Sequence, residues 1–145
     1  MGKLEFLLSH HPREQCADKC FHLSVGAGIP ICSRCLGLYP TAITVIILDF
    51  TILPPLSLSF RALAFWFFVL PAWYHWAREH YERKPWGGKW RRLGSGVLSG
   101  IGTALLLGGH FKHPYNGDFL FSGLLLLLIS ACVVFLEWFF RPPPQ

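Results

Sequence analysis

The sequence predicts an all-α protein, a bundle of four transmembrane helices with a Cys/His-rich N-terminal segment on the cytoplasmic side. Two observations support this fold class: a composition poor in charge, and four long apolar segments. Of the 145 residues, 52% are hydrophobic and only 14% are charged, whereas about a quarter of a typical soluble chain is charged. A soluble protein of this composition would expose large apolar patches. The composition therefore argues against a soluble domain.

Two regions are expected along the chain. Residues 1–35 mix Cys, His, Gly and Pro with polar residues, and they predict a short amphipathic piece near residues 4–9 followed by a looped region. Residues 36–145 contain the apolar segments, at about 36–53, 56–76, 93–111 and 119–140. Each has close to the ~20 residues that a helix needs to cross a hydrocarbon core of about 30 Å, and none alternates as a barrel strand does. The second segment fits least well because it contains Arg61 and Pro71.

The basic residues predict the orientation in the membrane. If all four segments span, both termini and the loop between segments two and three share one side. That side carries eleven of the thirteen Lys and Arg residues, and the remaining two, Arg61 and Lys112, lie on the other side. Lys and Arg accumulate in cytoplasmic loops. Both termini are therefore predicted in the cytoplasm, with the protein in the inner membrane and the bilayer as its partner. Because the positive charge follows topology, it does not indicate nucleic-acid binding.

Four of the five cysteines lie close together, just before the first apolar segment. Three residues separate Cys16 from Cys20, and two separate Cys32 from Cys35. Clustered cytosolic cysteines are more often metal-binding or catalytic than disulfide-bonded. A Cys-x2-Cys turn points two thiolates at one metal ion, and a second pair completes a tetrahedron. The pattern predicts a metal site for zinc, with an iron–sulfur cluster as the alternative because it also takes four thiolates.

Histidines flank this motif and recur at the same predicted side of the membrane. His10, His11 and His22 are candidate additional ligands, and ordinary loop histidines are the alternative. His75 and His80 lie at the inner end of the second segment, and Glu137 lies near the end of the fourth. A shared pocket of Cys, His and Glu side chains on the cytoplasmic face is therefore expected as a further arrangement.

Asp49, Arg61 and Glu137 are charged residues within the apolar segments. Such residues are costly in lipid and mark functional sites by default. Asp49 and Arg61 suggest a structural pair that joins the first two helices. Two alternatives remain. One is a proton- or ion-handling group in a small transporter or accessory subunit, and the other is a second metal site that combines Asp49 with His110, His113 or Asp118.

Two further patterns leave alternatives open. Cys32 and Cys35 could serve a membrane thiol–disulfide oxidoreductase similar to quinone-coupled disulfide-forming enzymes, although those act on the oxidising side. The third segment carries a stripe of small residues that includes Gly96 and Gly100. Small residues let helices approach closely in lipid. The stripe therefore predicts either packing within the chain or a homo-oligomer seam.

The stretch 30–39 resembles a family of small bacterial membrane proteins, domain of unknown function 2085. The family pattern is Pro-x-Cys-x-Arg-Cys-x-Gly-x-Tyr leading into a membrane helix, and the matching positions are Pro30, Cys32, Arg34, Cys35, Gly37 and Tyr39. Arg92, Gly94 and Gly96 at the third segment also look like a feature of that family. The resemblance implies membership of a membrane family and carries no known activity.

Overall fold

The computed structural model describes residues 13–23, 29–82, 88–114 and 117–140, and these residues are mostly helical. A short helix and two strands come first: α1 (Arg13–Lys19), β1 (Cys20–Leu23) and β2 (Ile29–Cys32). Four long helices follow: α2 (Ser33–Thr51), α3 (Leu58–Glu82), α4 (Gly88–Lys112) and α5 (Gly117–Phe140). The prediction of a helical protein is confirmed at this level.

The N-terminal segment is more regular than the predicted loop. β1 and β2 form an antiparallel hairpin in which Cys20 lies opposite Cys32 and Leu23 opposite Ile29. The chain passes from β2 directly into α2, so the first long helix begins at Ser33 and not near residue 36. Ser33 Oγ donates a hydrogen bond of 2.8 Å to the carbonyl oxygen of Lys19, which holds the end of α1 against the start of α2. The amphipathic piece predicted near residues 4–9 lies outside the described residues.

Three of the long helices are long and apolar enough to cross a membrane: α2, α4, and α5 over Gly117–Phe139. α3 is not among them, so three of the four predicted spans have the length and composition of a membrane-crossing helix within the described residues, and the fourth stays a prediction. α3 continues to Glu82 and not to about residue 76, and its added turns are polar. α4 likewise begins at Gly88, before the predicted start at 93.

α4 packs most closely against α2, and glycines make this approach possible. A Cβ atom added to Gly96 would lie 2.2 Å from the backbone oxygen of Arg34, and one added to Gly37 would lie 2.4 Å from that of Leu93. Gly100 also faces the backbone of α2. The predicted small-residue stripe is therefore used within the chain. A homo-oligomer stays a prediction, and it would have to leave this contact intact.

α3 covers α4 and links it to α5. Phe65, Val69 and Leu106 form a buried cluster between α3 and α4. α5 packs less extensively, and one of its links to α3 is a hydrogen bond of 3.0 Å from Trp73 Nε1 to Ser130 Oγ. Most of the apolar side chains of α5 are exposed, which suits a helix whose outer face meets lipid.

Two layers of charged side chains connect the helices near opposite ends of the bundle. We call Arg34, His75, Glu79 and Arg92 the cysteine-end cluster, because Arg34 lies between Cys32 and Cys35. We call Asp49, Arg61 and Lys112 the far-end cluster. Each of α2, α3 and α4 contributes to both clusters. The three helices are therefore antiparallel to their neighbours in sequence and run between the same two layers.

Candidate functional site

The hairpin brings the four N-terminal cysteines together. Cys20 and Cys32 are direct partners in the β ladder. Cys16 lies one helical turn before Cys20 and shares a side-chain hydrogen bond with it. Cys35 lies three residues after Cys32 and shares a side-chain hydrogen bond with it. Three of these side chains are buried and Cys35 is half-buried. We call these four residues the thiol cluster.

The thiol cluster consists of reduced cysteines, since none of the five cysteines forms a disulfide. Burial and the hydrogen bond with Cys16 raise the pKa of Cys20 to about 12, so its thiol is protonated at neutral pH. Across the described ranges, no three His, Cys, Asp or Glu side chains are arranged so that they could hold a metal ion. The observed arrangement is therefore two neighbouring thiol pairs, and a metal ion would have to displace protons and draw the pairs together.

Of the three predicted histidine ligands, only His22 belongs to the described residues. His22 lies on β1 opposite Pro30, and its side chain is exposed. His10 and His11 lie outside the described residues. Among the described residues, the candidate metal ligands are therefore the four cysteines of the thiol cluster.

The cysteine-end cluster ties the Cys-x2-Cys turn to α3 and α4. Arg34 Nη2 donates hydrogen bonds of 2.8 Å to Glu79 Oε2 and 2.7 Å to His75 Nδ1. Arg92 Nη1 donates to the same oxygen of Glu79 at 2.9 Å. Because a guanidinium group only donates, His75 Nδ1 accepts in this geometry. One carboxylate is thus shared by two arginines.

Positive charge exceeds negative charge around the thiol cluster. Lys19 adds a third cation, and burial together with the positive charge of Arg92 lowers its pKa. Arg92 and Glu79 are almost fully buried, with side chains 3% and 9% exposed. Among the described residues the group formed by Lys19, Arg34, Arg92 and Glu79 carries two excess positive charges. Positive charge near the thiols attracts an anionic neighbour.

The far-end cluster contains the pair suggested by the sequence. Arg61 binds the Asp49 carboxylate through two hydrogen bonds, of 2.7 and 3.0 Å, and both side chains are almost fully buried. Arg61 Nη1 also donates to the Leu105 oxygen. Lys112 Nζ lies 3.1 Å from Asp49 Oδ2. A Cβ atom at Gly108 would lie 2.3 Å from this carboxylate. These contacts enclose the acid and favour a structural role over ion handling.

The other predicted polar residues lie apart from the cysteines. Glu137 on α5 pairs with His80 on α3, and His110 stacks on Phe119 with the ring centroids 4.4 Å apart. Glu79, by contrast, shares its carboxylate with Arg34 near the thiol cluster, and the sequence did not single out this residue. The four-residue spacing of His75 and Glu79, which places them on one helix face, was the available signal.

Comparison with known proteins gives one family. The family model described as "Predicted membrane protein (DUF2085)" matches residues 14–106. The matched region contains the whole thiol cluster, the whole cysteine-end cluster and the Asp49–Arg61 pair. No curated protein and no solved structure is significantly similar to the chain.

Proposed function

Because the chain belongs to the DUF2085 family of predicted membrane proteins, we propose that it is an inner-membrane protein that holds a zinc ion in the thiol cluster on its cytoplasmic face. The observation that carries this proposal is the hairpin register, which sets Cys20 opposite Cys32. Cys16 and Cys35 are hydrogen-bonded to these two residues. Four thiolates are a complete ligand set for a structural zinc site. The proposed site is therefore structural and closed, and no reaction is assigned to it.

Charge complementarity supports a site made of four thiolates. Zinc binds cysteine as the thiolate, so Zn²⁺ with four cysteines carries two net negative charges. Lys19, Arg34, Arg92 and Glu79 together carry two excess positive charges. This positive group would offset negative charge of the proposed site. An iron–sulfur centre with four thiolates is the alternative occupant, and metal analysis separates the two.

The way the charged clusters connect the helices supports four membrane crossings. α2 reaches from Arg34 to Asp49, and α3 returns from Arg61 to Glu79 between the same two layers. If α2 crosses the bilayer, α3 must cross it as well. Its 25 residues extend about 37 Å as an α-helix, which exceeds a hydrocarbon core of about 30 Å. Pairing within the bundle lowers the cost of its charged side chains.

Reporter fusions test the crossings and the orientation together. A fluorescent protein that matures in the cytoplasm, fused at either end of the full chain, should be fluorescent in both cases. A periplasmic phosphatase reporter should be inactive at both ends. Reporters on opposite sides of the membrane would contradict four crossings. Both ends outside would contradict the cytoplasmic thiol cluster.

Metal analysis tests the zinc site. Protein purified in detergent under reducing conditions should contain close to one zinc ion per chain, by mass spectrometry of the metal. Cys32→Ser should retain less than about a tenth of this amount, because it removes a thiolate. Position 32 precedes the first residue of α2 and serine is a favourable N-cap residue, so this variant should still fold.

Cys132→Ser is the matched control for the loss of one cysteine. Cys132 is exposed on α5 and separate from the thiol cluster, so this variant should keep its zinc. Wild-type protein with less than about a tenth of an equivalent of any transition metal would contradict the proposal. Iron together with inorganic sulfide would identify the iron–sulfur alternative.

A second candidate function is thiol–disulfide exchange by Cys32 and Cys35. The hydrogen bond between these two thiols at the start of α2 favours it, since a Cys-x2-Cys pair at a helix start is the arrangement of thiol oxidoreductases. Such chemistry needs the oxidising side of the membrane. Reporters that place both ends outside would therefore support this function over the zinc site.

A further inference from the structure

The charged contacts of Glu79 bear on the affinity of the proposed zinc site. Resting on that site, we infer that Glu79 on α3 limits zinc affinity by cancelling part of the positive charge that Arg34 and Arg92 place near the cysteines. Glu79 lies 47 positions after Cys32 in the sequence and belongs to a different helix. Its effect on the metal would therefore be electrostatic, through the two arginines.

The two arginines bind the carboxylate and are close enough to the thiols to interact with them electrostatically. Glu79 Oε2 accepts hydrogen bonds from Arg34 and Arg92, at 2.8 and 2.9 Å. Arg34 also interacts electrostatically with Cys32, and Arg92 does so with Cys20. Glu79 and thiolates at these positions are consequently anions that share the same two cations. Glu79 weakens the attraction of the two arginines for the thiolates, and the thiolates weaken their attraction for Glu79.

This competition fixes the direction of each substitution effect. Glu79→Gln removes one negative charge and keeps a side chain of similar size, so the positive potential at the thiol cluster rises. A more positive potential stabilises the thiolates that bind zinc, and zinc affinity therefore increases. Arg92→Gln removes one positive charge and has the opposite effect. In the double variant the net charge of the cluster returns to its original value. A merely structural role of Glu79 predicts the reverse for Glu79→Gln, because a disturbed Arg34 would loosen the Cys-x2-Cys turn.

The test is a zinc affinity measurement on the purified full chain. Zinc is removed with a chelator, and Zn²⁺ is then titrated in competition with a chromophoric chelator at fixed pH and salt. We expect Glu79→Gln to bind zinc on the order of tenfold more tightly than wild type, and Arg92→Gln on the order of tenfold less tightly, in the range typical of residues that surround metal ligands. The double variant should return close to the wild-type affinity.

Glu82→Gln is the matched control. Glu82 lies one turn further along α3 and pairs with Arg78 at 2.7 Å on the exposed side of the helix. The same loss of one negative charge there should leave zinc affinity unchanged within about twofold, because exposed charges are screened. An equal gain in Glu82→Gln and Glu79→Gln would show an effect of overall charge and would overturn the inference.

The remaining outcomes also decide the question. Zinc binding by wild type with unchanged or weaker binding by Glu79→Gln would overturn the inference and leave the zinc site standing. Absence of zinc binding by wild type would instead contradict the proposed function itself. If Glu79→Gln does not fold, the two Arg92 variants provide the test. The inference requires that Arg92→Lys binds zinc with nearly wild-type affinity and that Arg92→Gln binds it about tenfold less tightly. Any other result would overturn the inference.

Discussion

Gly96→Ala should destabilise the protein, whereas Gly94→Ala, two residues earlier in the same helix, should not. The alanine Cβ at position 96 would lie 2.2 Å from the backbone oxygen of Arg34, so α2 and α4 would have to separate. Overpacking of this kind typically costs about 1–3 kcal/mol and occasionally more. The obstacle here is backbone and not a flexible side chain, so we expect a cost at or above the upper end of that range.

Gly94 is a close control because a Cβ atom there meets nothing within 4 Å. Alanine favours a helix over glycine by up to about 1 kcal/mol, so Gly94→Ala should be neutral or slightly stabilising. Thermal unfolding in detergent, followed by tryptophan fluorescence, should give a melting temperature well below wild type for Gly96→Ala only. Equal melting temperatures for the two variants would show that α2 and α4 do not make this close contact.

Asp49→Asn should cause the second large loss of stability, through the far-end cluster. The substitution keeps the size of the side chain but leaves Arg61 and Lys112 without the carboxylate that both contact. Removing one partner of a buried ion pair costs about 3–5 kcal/mol, because the remaining charge is uncompensated. Arg61 is 2% exposed, so water cannot readily replace the lost partner.

The double variant Asp49→Asn with Arg61→Gln separates a broken pair from general disruption. It removes both charges of the pair, so its loss of stability should be smaller than that of Asp49→Asn alone when both are measured by chemical unfolding in detergent. Glu82→Gln, which breaks the exposed pair with Arg78, should leave stability close to that of wild type, because exposed ion pairs contribute little. A fully stable Asp49→Asn would refute the structural role and would revive the ion-handling interpretation of this acid.

Hydropathy predicted the four long helices but placed some of their ends too early or too late. The last turns of α3, up to Glu82, and the first turns of α4, from Gly88, are polar. They continue the helical hydrogen bonding where the chain is no longer apolar, and a search for apolar runs does not detect such turns. The same polar turns carry Glu79 and Arg92, which explains why Glu79 and its contact with Arg92 were not predicted.

The hairpin was missed for a different reason. β1 and β2 have four residues each, too few to show a clear alternation of apolar and polar residues. Cysteine spacing alone predicts that two thiol pairs exist. The ladder between the strands decides that Cys20 and Cys32 are direct neighbours.

The sequence by itself determined the membrane class of the protein, the two cysteine pairs and the suggested Asp49–Arg61 pair, because these depend on composition and on spacing along one or two adjacent helices. Only the tertiary structure decided that Arg34 shares Glu79 with Arg92. Glu79 lies 45 residues after Arg34 and 13 residues before Arg92 in the sequence. Their contact depends on how α2 and α3 are rotated against α4. That rotation is set by glycines such as Gly37 and Gly96, where one helix backbone touches the next and no local pattern specifies the partner.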